Sequence, residues 1–334
     1  MSIIDKQRES VPGNLRALYA PVLREMEAVE GLLQKEFSSE DSFIDRLAQH
    51  GFRLGGKRLR PALVLLSAQA CGGICPEHFS MAVTTELIHT ATLIHDDVLD
   101  DATMRRHLDT VNALWDNEAS ILLGDYFLAR VMCMVGAVGD AYACQTIGEA
   151  ARKMCEGELR QIESRGNFDL DEEKYLRIIA GKTASLMACC CRLGAHYAGA
   201  EPAVCDALDS YGHKLGVAFQ IADDVLDLLG EEEAVGKSLG TDLLKQKATL
   251  PLIRLLAAVG EEDRAKLTAA LAENGNHHRD LLRPWLQRHD AIAYSRERAR
   301  RFTQSAREEL AVLPDSPARD SLVGLADFVV NRNL

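Results

Sequence analysis

Two short runs of carboxylates carry the clearest chemistry in the sequence. His95-Asp96-Asp97-Val98-Leu99-Asp100-Asp101 closes one long apolar stretch, and Gln220-Ile221-Ala222-Asp223-Asp224-Val225-Leu226-Asp227 closes another. Residues four apart on a helix share a face, one turn or about 6 Å from each other. Asp96 therefore pairs with Asp100, and Asp223 with Asp227. Like charges at that spacing repel, and the end of a helix is itself negative, so both runs call for cations. One Asp-Asp-x-x-Asp reads more readily as a solvated helix end; two copies, each ending an apolar helix, do not. Oxygen donors with no Cys or paired His beside them select Mg²⁺ over Zn²⁺ or Cu. Mg²⁺ keeps several waters and joins carboxylates to substrate phosphates, which points to a diphosphate substrate.

A diphosphate also needs cations from the protein. Gly55-Gly56-Lys57-Arg58-Leu59-Arg60-Pro61 places Lys57 and Arg60 on one face at a helix start, where backbone N–H groups favour an anion. Arg105 and Arg106 follow the first acidic run. Gly181-Lys182-Thr183 sets a charge and a hydroxyl inside an otherwise apolar helix, where an unpaired Lys is costly. Lys237, Lys245 and Lys247 follow the second run. Singly, each reads as a surface cation, and Arg58, Lys245 and the run Arg296-Glu297-Arg298-Ala299-Arg300-Arg301 are read so. As a set, the others flank the aspartates. His89 alone would be a core histidine, but it stands two turns before Asp96, near the same face.

The elements that must hold these groups are helices. Apolar spacing of three and four predicts them over 15–37, 41–49, 61–72, 76–101, 118–138, 141–164, 171–198, 203–229, 241–259, 261–273, 278–288, 290–313 and 316–331. Alternating Val/Ile/Thr segments bounded by turn residues are missing, so no sheet is expected. With no Pro/Gly/Ser-rich linker and no fixed repeat, the economical reading is one all-α domain over residues 1–334. Segments 76–101 and 203–229 are apolar on most faces and should sit centrally.

The chain has 334 residues, 47% of them apolar, enough for a large core. Its 38 Lys and Arg against 50 Asp and Glu give a net charge of −12, which argues against a nucleic-acid partner. No run of about 18 uninterrupted apolar residues predicts a transmembrane segment. The first residues carry acids where a signal peptide needs an apolar run, so the expected compartment is cytoplasmic. Nine cysteines, three of them consecutive (Cys189-Cys190-Cys191), read as small buried helix residues. Cys71 and Cys75 are the best pair for a ligand site, but no second pair completes it. His277-His278, in a polar loop, suggests no role.

On these blocks, together with Leu87 to Arg106, Gly124-Asp125-Tyr126 and Phe219 to Asp227, the chain resembles the trans-polyprenyl diphosphate synthases over nearly its whole length. The resemblance implies an all-α isoprenoid synthase helical bundle around a central deep cavity, usually a homodimer. It implies that Asp96, Asp97 and Asp100 form the first aspartate-rich motif and Asp223, Asp224 and Asp227 the second, with Asp96, Asp100 and Asp223 as the main ligands of about three Mg²⁺ ions. Lys57, Arg60, His89 and Arg106 match residues that hold isopentenyl diphosphate. Arg105, Lys182, Thr183, Gln220, Lys237 and Lys247 match the allylic diphosphate site. No matched catalytic position is substituted. The implied reaction is head-to-tail condensation of the two diphosphates, with transient membrane contact at product release.

In short-chain relatives a bulky aromatic residue four or five positions before the first aspartate closes the cavity. Here those positions are Thr92 and Ala91, both small. One helical turn is about one isoprene unit long, and Met81 to Asp96 spans about 22 Å, so an open path predicts a long all-trans product of about eight units, as for a quinone side chain. The alternatives are a farnesyl- or geranylgeranyl-length product, or a catalytic subunit of a heteromeric synthase. A class I terpene cyclase would carry an Asn/Ser/Glu-type second motif and have no use for Lys57 and Arg60. A noncatalytic partner subunit would show eroded aspartates.

Overall fold

A computed structural model describes residues 13–53, 56–229, 240–272 and 278–331. The chain opens with α1 (Gly13–Leu18), a 3-10 turn (Ala20–Val22) and α2 (Leu23–Glu36), where the sequence pattern predicts one helix. Pro21 lacks the N–H that a continuous helix needs. Then come α3 (Ser42–Arg53), α4 (Leu59–Cys71) and α5 (Pro76–Leu99). Pro76 suits the first turn of α5. At the same end the Cys75 N–H donates to His78 Nδ1 at 2.9 Å, and His78 Nε2 lies 2.9 Å from the Gly194 carbonyl. At its other end Asp101 adopts φ 48°, and the N–H groups of Asp100 and Ala102 return to the carbonyls of Asp96 and Asp97. That cap stops the helix within the acidic run, with Asp100 as its cap residue.

A hairpin follows where no sheet is expected: β1 (Met104–Arg105) pairs antiparallel with β2 (Leu108–Asp109). Its two central residues, Arg106 and His107, both have positive φ (52° and 61°). Such turns are normally signalled by Asn-Gly or Asp-Gly, which is why the sequence is silent here. The chain continues through α6 (Val111–Leu114), α7 (Asn117–Val138), α8 (Ala141–Glu163) and α9 (Glu172–Ile179), then a π-helical turn (Ala180–Ala184), α10 (Ser185–Tyr197) and α11 (Pro202–Leu229). The stretch predicted as a single helix over 171–198 thus contains a widened turn. The stretch predicted over 241–259 splits into α12 (Thr241–Leu244) and α13 (Leu250–Ala258), with Gln246 at φ 54° between them. Last come α14 (Glu261–Ala272), α15 (His278–Arg288), α16 (Ala291–Glu309) and α17 (Pro317–Asn331). His278 opens α15, buried, instead of lying in a loop; His277 lies outside the described residues.

The described residues group into two compact units. One comprises those up to Glu149 with Leu186–Gly212 and Glu309–Leu325; the other comprises Ala150–Ser185, His213–Glu308 and those from Ala326 on. In the first, α5 packs chiefly on α7 and α4. The approach to α7 is close because Gly124 faces the ring of His95, which a Cβ there would strike. In the second, Val225 and Leu228 of α11 join Leu252, Leu255 and Leu256 of α13 and Leu282 and Leu286 of α15 in one apolar core.

The nine cysteines are free thiols; Cys189, Cys190 and Cys191 are buried as expected, but Cys133, Cys144 and Cys155 are exposed. By length and composition, two helical segments could cross a bilayer, Asn117–Val138 and Glu172–Tyr197; the first is mostly unburied and the second mostly buried. The stricter requirement for an uninterrupted apolar run passes over both, because each carries a few polar side chains.

Candidate active site

In the first unit the end of α5 sorts the three aspartates of the motif, Asp96, Asp97 and Asp100. Asp97 is buried, and Arg105 on β1 grips it: Nη2 donates to Oδ1 at 2.7 Å, and Nε donates to Oδ1 at 2.9 Å and Oδ2 at 3.2 Å. Asp96 and Asp100 are half-buried on the neighbouring face. Arg105, matched by resemblance to an allylic diphosphate ligand, is here the partner of a carboxylate.

The basic segment before α4 is built around Arg58, which the sequence reading leaves on the surface. It is buried instead. Its Nε and Nη2 donate to Glu30 at 2.9 and 3.0 Å, its Nη1 donates to Glu86 at 2.9 Å, and its guanidinium lies over the Phe52 ring. Arg58 has φ 50° and caps α4, so burial of one cation orients the exposed Lys57 and half-buried Arg60 on either side. The Tyr19 hydroxyl adds a bond to the Lys57 carbonyl at 2.9 Å. Arg106, at the hairpin turn, packs its guanidinium against Gly56, where a side chain would collide with it. His89 shares these surroundings. Burial first, and then the cations of Arg60, Arg106, Arg105 and Arg58, hold its imidazole well below the usual histidine range. It is a neutral histidine among guanidiniums.

In the second unit the aspartates of α11 sort in the same way. Asp224 is buried, accepting from the Tyr175 hydroxyl at 2.6 Å and from Gln220 Nε2 at 2.8 Å. Burial, chiefly, and the negative charge of Asp242 raise its pKa, while those two hydrogen bonds lower it. Asp227 is also buried; its Oδ2 accepts from the Asp242 N–H at 3.3 Å, and its carbonyl accepts from the Gly240 N–H at 3.0 Å. Asp223 is half-buried. Lys182, on the π-turn, pairs with Glu158 and donates to Gln161 at 3.0 Å. Thr183 donates to Gln220 Oε1 at 2.7 Å, and Lys247 lies 3.4 Å from Asp242. Tyr175, Lys182, Gln220, Asp224, Asp242 and Lys247 line one cavity. Lys237 and Gly55 lie outside the described residues. Tyr175 and Asp242 escape sequence reasoning: a tyrosine in an amphipathic helix and an aspartate in a turn carry no spacing signal.

The polyprenyl synthetase family model matches residues 41–286. The chain belongs to the polyprenyl synthetase family. As a member it is a trans-prenyltransferase that makes polyprenyl diphosphates. It is similar to octaprenyl diphosphate synthase of Escherichia coli K12, with 36% identity covering 96% of this chain and 99% of the relative. It is 37% identical to heptaprenyl diphosphate synthase component 2 of Geobacillus stearothermophilus, with the same coverage. The crystal structure of a polyprenyl synthase from Caulobacter crescentus CB15, complexed with calcium and isoprenyl diphosphate, matches with a TM-score of 0.90 at 32% identity, covering 97% of this chain and 98% of that one. The fold is therefore the all-α isoprenoid synthase fold. Family members of similar identity are also named for nine units and for short chains.

The carboxylates fit a hard divalent cation of the kind this family uses. Among the described residues no three His, Cys, Asp or Glu side chains converge into a protein-only cage. Half-buried carboxylates, Asp96 and Asp100 in the first unit and Asp223 in the second, instead suit hydrated Mg²⁺ that completes its shell with water and substrate phosphate.

Proposed function

We propose that this chain condenses isopentenyl diphosphate head-to-tail onto an allylic diphosphate, repeatedly, to an all-trans product of about eight units. The observation that carries the reading is the division of the six aspartates. Asp97, Asp224 and Asp227 are buried, while Asp96, Asp100 and Asp223 are half-buried beside them. The first three act as scaffold, and the second three hold about three Mg²⁺ ions with the allylic diphosphate. When bound, the metal supplies Lewis-acid stabilisation for the departing diphosphate.

The protein's own groups do the rest. Lys57, Arg60 and Arg106 bind the diphosphate of isopentenyl diphosphate, and neutral His89 adds a hydrogen bond without a further charge. Lys182 and Lys247, with Lys237, receive the negative charge that grows as the allylic C–O bond breaks, while Thr183 and Gln220 orient that end of the site. Positioning brings the isopentenyl double bond onto the allylic carbon. The proton then lost passes to the departed diphosphate, so the step needs no protein base. Arg105 acts here by neutralising Asp97.

The length assignment rests on Ala91, fully buried, and Thr92, half-buried, on α5 just before Asp96. Neither projects a ring along the helix. A homodimer is supported by α7, whose Ile121, Leu122 and Met132 are exposed apolar side chains. The same apolar character leaves room for transient membrane contact during product release. A second reading, a catalytic subunit that needs a partner, is favoured by the relative named as a component 2.

One assay tests these points: purified chain, Mg²⁺, isopentenyl diphosphate and an allylic primer, with products sized by chromatography. Turnover by the single chain to products near eight units supports the first reading. Products of three or four units overturn the length assignment, and activity only with a second polypeptide supports the other reading.

A further inference from the structure

A hydrogen-bond relay in the second unit starts and ends on one helical stretch. Tyr175 donates to Asp224 Oδ2 at 2.6 Å, Gln220 Nε2 donates to Asp224 Oδ1 at 2.8 Å, and Thr183 donates to Gln220 Oε1 at 2.7 Å. Gln220 and Asp224 stand one turn apart on α11 and share a face. Tyr175 and Thr183 are eight residues apart. In an uninterrupted α-helix, at 100° per residue, their side chains would point about 80° apart. The π-turn Ala180–Ala184, which carries Thr183, takes up about one extra residue, and this brings the mismatch down to about 20°. Both side chains then reach the same face of α11.

The widened turn is accommodated from both sides. A Cβ at Gly157 on α8 would strike the Lys182 backbone nitrogen, and one at Gly216 on α11 would strike Ala184 Cα. Two glycines thus leave room for the π-turn, and the relay ties Thr183 within it to Tyr175 on α9.

We propose that Tyr175 is a positioning residue for the allylic diphosphate. Its hydroxyl occupies one oxygen of Asp224, so the other takes the amide N–H of Gln220. The Gln220 carbonyl oxygen then faces Thr183, which holds the turn carrying Lys182. The Gln220 amide turns its nitrogen to Asp224 and its oxygen to the Thr183 hydroxyl, so that each contact pairs a donor with an acceptor. Burial and the neighbouring Asp224 carboxylate push the Tyr175 phenol well above its ordinary value, so it remains a donor at neutral pH. This inference rests on the reading of Lys182 and Thr183 as the allylic site.

The test measures KM for both substrates, and Kd for an unreactive allylic thiolodiphosphate, in Tyr175→Phe, Thr183→Ala and the double variant, with thermal unfolding alongside. Tyr175→Phe should raise the allylic KM and the analogue Kd about five-fold, the loss of about one hydrogen bond, and leave the isopentenyl diphosphate KM within about two-fold. The double variant should be no weaker than Thr183→Ala alone, because both act through one chain of bonds. An unchanged allylic KM in Tyr175→Phe, an equal rise for both substrates, or additive effects overturn the proposal. A Thr183→Ala variant with unchanged allylic KM overturns instead the assignment of the site. Should Tyr175→Phe fail to fold, Asp224→Asn reverses the relay without changing its shape, by turning a donor toward Gln220. It must raise the allylic KM selectively, and an unchanged value overturns the proposal.

Discussion

Arg105 Nη2 lies 2.7 Å from Asp97 Oδ1, and the pair joins the hairpin after α5 to the middle of its acidic end. Asp97 is buried and Arg105 is about three-quarters covered, its side chain 26% exposed. Removing one partner of such a pair leaves a charge without its complement. Asp97→Asn should therefore lower stability by about 2 kcal/mol in denaturant unfolding. Its Mg²⁺ requirement for turnover should shift less than that of Asp96→Asn. Equal shifts in the two Mg²⁺ titrations would place Asp97 among the metal ligands.

Asp96→Ala and Asp223→Ala should each reduce turnover at least about 100-fold while circular dichroism and unfolding temperature stay near wild type. Each removes a half-buried carboxylate and relieves local repulsion. Near-normal turnover at ordinary Mg²⁺ in either variant sinks the two-motif mechanism.

The two diphosphate sites should separate kinetically. Lys57→Ala should raise the KM for isopentenyl diphosphate about ten-fold and barely move the allylic KM; Lys182→Ala should do the opposite. A reversed pattern in steady-state kinetics means that the two sites have been exchanged.

His89 predicts a pH effect. Its folded-state pKa is lowered, by burial first and by the surrounding arginines. Below about pH 6.5 the unfolded chain takes up a proton there that the folded chain refuses, so this contribution to stability is present above the unfolded value and lost as pH falls. His89→Gln should flatten the decline in unfolding free energy between about pH 7 and pH 5. An unchanged slope would show that His89 titrates normally in the fold.

Product length should respond to volume at two neighbouring positions, with different costs in stability. Thr92 is half-buried, so Thr92→Phe should shorten the product to about three or four units while keeping the unfolding temperature. Ala91 is fully buried, and Ala91→Tyr should shorten the product but lose about 1–3 kcal/mol to overpacking. If both variants fold and keep the wild-type product distribution, the chain does not grow along this helix.

What the sequence determined by itself was local. Helix periodicity, proline at the start of α5 and the four-residue spacing of Asp96 with Asp100 and of Asp223 with Asp227 are written within one or two turns of chain, and all are found as read. Breaks were missed where their signals lie in φ rather than in residue type: Arg106 and His107 at the hairpin, Gln246 between α12 and α13. The π-turn at Ala180–Ala184 was invisible because part of what makes room for it lies outside its own segment, in Gly157 and Gly216 on the helices it packs against. Only the tertiary structure decided which charges are committed. Arg58 finds Glu30 and Glu86, each 28 residues away, and Tyr175 finds Asp224 across 49. A carboxylate's type and spacing say that it can bind a cation. Whether it is buried against an arginine or a tyrosine, or left half-buried beside them, depends on long-range packing, because desolvation and hydrogen-bond partners are set by whatever the fold brings alongside.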